Sequence, residues 1–223
     1  MAKHSNSFTC TACGQTHGKW IGKCEGCGAW NTLIEEAPLS SGPKALGSKG
    51  RSIHLTDLAT QAEAPPRASS GIDELDRVLG GGLVPASAIL VGGDPGIGKS
   101  TLLLQALDAL QRKGMNTLYV TGEESGAQVA LRSRRLGLDH SQVQVLAEIQ
   151  LEKILATLES TRPDIAVIDS IQTVSDAARS SSAGSVTQVR DCTHRLSAIA
   201  KAADVALVLV GHVTKDGAIA GPR

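Results

Sequence analysis

Three features place this 223-residue chain among the α/β proteins, with a mainly parallel sheet flanked by helices and a small four-cysteine module ahead of it. Gly93-Asp94-Pro95-Gly96-Ile97-Gly98-Lys99-Ser100, followed by Thr101, has the glycine, lysine and hydroxyl spacing of a phosphate-binding loop. Downstream of it, short apolar runs alternate with stretches of helical spacing, the pattern of a parallel sheet covered on both faces. Upstream, Cys10-x-x-Cys13 and Cys24-x-x-Cys27 form two metal-knuckle pairs ten residues apart.

The totals fit that reading. Hydrophobic residues make up 41% of the chain but aromatics only 2%, so the core must be built from Leu, Ile, Val and Ala. Lysine plus arginine and aspartate plus glutamate both number 22, so a nucleic-acid surface, if present, is local rather than global. No apolar run approaches the roughly 20 residues of a membrane span, and the polar N-terminus lacks a secretory segment. With four of five cysteines in close pairs, metal in a reducing compartment is expected rather than disulfides, which points to the cytoplasm.

Residues 1–34 read as a zinc ribbon. Cys10, Cys13, Cys24 and Cys27 can surround one Zn2+ tetrahedrally, with Gly14, Gly26 and Gly28 where the knuckles turn tightly. So short a segment cannot bury a sufficient core, and the metal supplies folding energy on the order of 10–16 kcal/mol. A dithiol redox pair is the rival reading, weakened by the absence of a surrounding βαβ pattern. His4 and His17 read as surface residues rather than ligands. Lys3, Lys19 and Lys23 against Glu25 leave the module at +2 before metal. Trp20 and Trp30 read either as stacking faces for nucleic acid or as a minimal core over the knuckles. Residues 35–68, punctuated by Pro, Ser and Gly, read as a flexible linker.

The core opens at residue 69. A Ser/Gly entry at Ser69-Ser70-Gly71 is followed by Ile72, Leu75, Val78 and Leu79 on one helical face, and Gly80-Gly81-Gly82 ends that helix. Ala88–Val91 reads as a buried strand and Thr101–Leu110 as a helix. Strands follow at Thr117–Val120, Val143–Leu146, Ile165–Ile168 and Val205–Val210, with helices around 125–136, 150–161 and 186–203. Segments 177–184 and 214–223 read as surface loops able to carry nucleic-acid contacts. Arg132, Arg134 and Arg135 read as either a phosphate-contacting patch or a solvated helix face. Cys192 reads as a small buried apolar residue.

Ligands of an open parallel sheet sit beyond the carboxyl ends of its strands. There the loop of Gly93, Asp94, Pro95, Gly96, Ile97 and Gly98 can wrap phosphates with its N–H groups, while Lys99 reaches the β- and γ-phosphates of ATP. Ser100 ligates Mg2+, and Asp169, released by an apolar strand, is its acidic partner. Glu123 is placed to orient and polarise an attacking water, with Glu124 favoured instead as a helix-start acid. His212, at the last strand's end, is placed to sense the γ-phosphate or serves as a structural residue.

The combination resembles the bacterial RadA (also called Sms) family of DNA repair proteins. The residues that carry the likeness are Cys10–Cys27 with Lys19-Trp20 and Trp30-Asn31-Thr32-Leu33, Leu75 to Pro85, Gly92–Thr101, Tyr119–Ser125 and Gly211-His212-Val213-Thr214-Lys215. The resemblance implies a RecA-type P-loop core over 69–223 and a DNA-dependent ATPase that forms a homo-hexameric ring. It further implies branch migration on single-stranded or branched DNA beside the RecA recombinase, without a membrane. Glu123 falls where such enzymes place their catalytic glutamate, and 212–215 where they place a DNA-responsive loop. The sequence stops at Arg223, ahead of the family's Lys-Asn-Arg-Phe-Gly motif and Lon-protease-like domain, which implies an incomplete motor core. The readings of another class are a zinc-dependent partner-binding module whose nucleotide site is structural, and an inactive piece of the motor.

Overall fold

The computed structural model describes residues 7–36, 66–177 and 183–212. The chain divides into two units, Met1–Pro66 and Arg67–Arg223.

In the first unit, β1 (Ser7–Cys10) pairs antiparallel with both β2 (Thr16–His17) and β3 (Leu33–Glu36), giving the order β2-β1-β3. Its pairing thus extends past residue 34. The apolar centre is small: Cys10, Cys24 and Leu33 are buried, with Phe8 and Ile21 packed against them. Trp20 and Trp30 take no part in it. They are 56% and 69% exposed, which overturns the minimal-core reading of the two indoles. The linker expected at 35–68 lies, for residues 37–65, outside the described residues.

The second unit begins its pairing at Ala68, whose N–H and C=O both bond Leu83 at 2.8 Å. Its elements are α1 (Asp73–Val78), β4 (Ala88–Gly93), α2 (Lys99–Arg112), β5 (Thr117–Thr121), α3 (Gly126–Arg135), β6 (Gln144–Ala147), α4 (Leu151–Thr161), β7 (Ile165–Asp169), α5 (Val186–Ala202) and β8 (Ala206–His212). The five strands pair in parallel in the order β4-β8-β7-β5-β6.

Every residue of β5 and β7 is buried, because both strands carry helices on either face. Successive side chains of a strand point to opposite faces, and two cores follow. Ala166 and Ile168 join a cluster with Leu151, Ile154 and Leu158 of α4 and Cys192 and Leu196 of α5. Ile165 and Val167 join the other, with Leu103, Leu104, Leu107 and Leu110 of α2. Cys192 is fully buried, as its apolar surroundings suggested.

Two expectations need correction. Ala88–Val91 is not a buried strand: among the described residues β4 pairs only with β8, and Leu90 is 52% exposed. An apolar run reads alike at the edge and the centre of a sheet. The helix follows its Ser/Gly entry, but its apolar face is not a core face: α1 buries no residue and leaves Val78 exposed. Asp76 holds that entry in place. It accepts from Ser69 Oγ at 2.8 Å, Ser70 N at 2.8 Å and Gly71 N at 3.3 Å, which ties the Ser-Ser-Gly entry into a turn. No described helix is long and apolar enough to cross a membrane.

Candidate nucleotide site and metal centre

Strand order decides which residues become neighbours. β4, β8, β7 and β5 lie side by side, so the chain they release at their carboxyl ends converges: the glycine loop, His212, Asp169 and Glu123. Lys99 opens α2 and is buried. Its Nζ donates to the carbonyls of Gly93 and Asp94, both at 2.8 Å, and lies 3.5 Å from His212 Nδ1. The other ring nitrogen, Nε2, is 2.9 Å from Glu123 Oε1. With the ammonium donating to Nδ1, the ring hydrogen sits on Nε2 and is donated to the carboxylate. Lys99, His212 and Glu123 therefore form one hydrogen-bonded line, joined only by the strand order.

Glu123 has a second direct partner, the Ser170 hydroxyl, which donates to Oε1 at 2.7 Å. Burial pushes its carboxyl up, but the hydrogen bonds from Ser170 and His212 and the Lys99 charge outweigh that. The carboxyl ends below its ordinary value of 4.5. The turn that delivers Glu123 is held by Thr121 Oγ1, which accepts from the N–H groups of Glu123 at 3.3 Å and Glu124 at 3.1 Å. Gly122 is required by close approach: a Cβ there would meet Thr173 Oγ1 at 2.0 Å.

Asp169 is buried, and its Oδ2 accepts a hydrogen bond from the Tyr119 hydroxyl. Arg132 Nη2 donates to the same hydroxyl at 2.9 Å and pairs with Glu124 Oε2 at 3.1 Å. Burial, then the Asp169 charge, push the Tyr119 phenol up, so it stays a neutral donor. These contacts correct the reading of Arg132 as a phosphate patch or solvated face, because its guanidinium is engaged; Arg134 and Arg135 are exposed. Glu124 is Arg132's partner, while the start of α3 is capped by Ser125, whose Oγ accepts from Gln128 N at 3.4 Å.

The residues suit a phosphate ligand. Gly96 and Gly98 have φ of +79° and +102°, and a Cβ on either would meet nothing within 4 Å, so the turn is open on that side. The N-terminus of α2 has no side-chain cap and no acidic residue in its first turn, which leaves its N–H groups and partial positive charge for an anion. Ser100 and Thr101 stand in that first turn. Among the described residues the side-chain hydrogen bond to Asp169 goes to Oδ2, which leaves Oδ1 free to accept a further ligand.

In the other unit, the Sγ atoms of Cys10, Cys13, Cys24 and Cys27 all lie within 4.8 Å of one another. Cys10 and Cys27 are 3.7 Å apart, and Cys13 and Cys24 3.6 Å. Tetrahedral zinc with Zn–S of about 2.3 Å sets an edge of about 3.8 Å. The sulfurs therefore fit zinc. Matching turns build the site: Gly14 N donates to Cys10 O at 2.8 Å, and Gly28 N to Cys24 O at 2.9 Å. Cys24 is lowered to about 6, by the Cys27 N–H first and then by His17, against burial. His17 Nε2 lies 3.5 Å from Cys24 Sγ, so this histidine supports a ligand from outside the first ring of donors.

Sequence reasoning missed Tyr119, Ser170, Thr121 and His17. A usable signal existed for two of them. Ser170 directly follows the strand-end acid, and a tyrosine inside an apolar strand needs a partner for its hydroxyl. Residues 1–6, 178–182 and 213–223, with Lys3, His4, most of the 177–184 loop and the segment from Thr214, lie outside the described residues.

Two family models match the chain. A family model described as an AAA domain matches residues 56–218, and one described as a rubredoxin metal binding domain matches residues 8–35. A DNA repair protein RadA of Brucella abortus is 52% identical over 233 residues, covering 100% of this chain and 50% of that protein. Proteins of the same description from Aquifex aeolicus and Bacillus subtilis are 46% and 44% identical, again over 100% of this chain and 50% of their own lengths. The chain spans about half the length of the curated relatives it matches.

Proposed function

The chain belongs to the AAA-domain family and is RadA-like over its whole length, and from that premise we propose that it is the nucleotide-hydrolysing and zinc-bearing part of a DNA repair ATPase. The observation that carries the proposal is the convergence of Lys99, His212, Glu123, Ser170 and Asp169 beside an open glycine loop. In this reading the loop N–H groups and Lys99 hold the phosphates of ATP, and Ser100 and Asp169 hold Mg2+. When bound, the cation would offset the negative charge of the phosphates. Glu123, kept ionised by Ser170 and His212, takes the proton of the attacking water. His212, between Lys99 and Glu123, connects phosphate occupancy to the base and to the chain that follows β8.

The finer parts of the proposal are that hydrolysis responds to single-stranded or branched DNA and drives branch migration of recombination intermediates. A homo-hexameric ring, a RecA recombinase partner and a cytoplasmic setting go with them. Their support is the RadA description of the relatives together with the site above. The test is ATP hydrolysis by this chain with and without single-stranded DNA, beside Lys99→Ala. Expected are DNA-stimulated turnover and a fall of roughly 10²–10³-fold in the variant. Equal rates in the two proteins would refute the reading.

A further inference from the structure

Tyr119 is the only tyrosine of the chain and is fully buried at the middle of β5. Its ring packs in the core beside α2, a job that phenylalanine would do as well. The hydroxyl must therefore be explained by what it touches, and it touches two things. It donates to Asp169 Oδ2, and it accepts from Arg132 Nη2 at 2.9 Å. Arg132 is itself fixed by Glu124 Oε2 at 3.1 Å, with its guanidinium carbon 5.7 Å from the Tyr119 ring centroid. The result is a polar line, Glu124–Arg132–Tyr119–Asp169, that runs from the start of α3 across β5 to the end of β7.

Direction matters in that line. A guanidinium donating into the phenol oxygen polarises the O–H bond and strengthens the bond it donates onward. The carboxylate of Asp169 is then held through Oδ2 alone, and its plane is set, while Oδ1 is left for another ligand. Register supports the geometry: Thr121 lies opposite Asp169 and Tyr119 opposite Val167, so Tyr119 reaches along the strands toward the carboxyl-end edge. We propose that Tyr119, backed by Arg132, is a positioning residue that orients the Asp169 carboxylate for a divalent cation bound with nucleotide. This inference rests on the nucleotide reading above and adds the part that sets cation affinity.

The test uses binding rather than turnover. Uptake of N-methylanthraniloyl-ADP by this chain is followed while Mg2+ is titrated, in the parent and in Tyr119→Phe. Expected is an increase of about tenfold in the Mg2+ concentration for half-maximal uptake, as outer-shell partners of metal ligands typically contribute. Binding in EDTA should be unchanged. With [13Cζ]-tyrosine the parent gives one phenol resonance, which should move when Mg2+ is added to the nucleotide-bound chain and stay in place with nucleotide and EDTA. If Tyr119→Phe does not fold, Arg132→Gln takes its place and should shift the Mg2+ titration in the same direction. Superimposable titrations, with or without a lower melting temperature, overturn the inference and reduce Tyr119 to a packing role. A parent that takes up no nucleotide overturns the nucleotide reading together with this inference, whereas uptake abolished by Lys99→Ala secures the former independently.

Discussion

Glu123 meets three groups within hydrogen-bond reach of its side chain or one step beyond: Ser170, His212 and, through the imidazole, Lys99. Each favours the ionised carboxylate, and together they overcome the burial that opposes it. The sign of the pH effect follows. A carboxyl held below its ordinary 4.5 in the folded chain contributes stability in full above that value and loses it as pH falls through the folded pKa. Activity that depends on the ionised form should persist to pH values below the ordinary carboxylate range. Ser170→Ala removes the foremost lowering contact, so the acid limb of the rate profile should move upward in pH, read from initial rates across pH 3.5–6 (roughly the range around a free carboxyl). Glu123→Gln keeps the size and most hydrogen bonds but cannot accept a proton. Hydrolysis should fall about 10²–10⁴-fold while nucleotide binding is retained. Loss of binding in parallel with rate would instead make Glu123 a phosphate-site residue.

At the scale of elements, the junction between β5 and α3 shows how closely packing constrains the sequence. A methyl group at Gly122 would lie 2.0 Å from Thr173 Oγ1, 2.7 Å from Thr173 Cβ and 3.0 Å from Ile149 Cγ2. Gly122→Ala should therefore cost about 1–3 kcal/mol in urea unfolding, and Thr173→Ala in the same chain should return part of it. Additive costs in that double-mutant cycle would show that the two residues do not compete for space. The strands and helices around this junction were readable in advance, because apolar runs such as Ile165–Ile168 are closed by glycine or polar residues and carry period-2 burial into two cores. Edge position was not readable. Ala88–Val91 has a composition suited to the sheet centre, yet Leu90 is half exposed, since neighbour identity in a sheet is a long-range property. For the site, Cys10 to Cys27 and Gly93 to Ser100 were legible because local spacing alone defines them. The Tyr119–Asp169 and Ser170–Glu123 contacts join residues 50 and 47 positions apart, and only strand order brings them together.

The whole molecule holds two kinds of core. The α/β unit buries leucines, isoleucines and valines on both faces of a five-stranded sheet, a core in which no metal-ligand candidate takes part. The ribbon buries Cys10, Cys24 and Leu33, and two of those three are metal-ligand candidates. Removing zinc deletes the link that stands in for a core, so the loss should be complete in the ribbon. The chain supplies its own probes. Both tryptophans, Trp20 and Trp30, lie in the ribbon, and all the helices among the described residues belong to the other unit. Displacing the cysteine ligands with a mercurial in the presence of a metal-binding dye should release one zinc per chain. Tryptophan anisotropy should then drop, while the thermal transition at 222 nm keeps its midpoint within about 2 °C. A shift of several degrees at 222 nm would mean that the ribbon contributes free energy to the α/β unit, because about 1 kcal/mol moves the midpoint of a domain this size by roughly 2–4 °C.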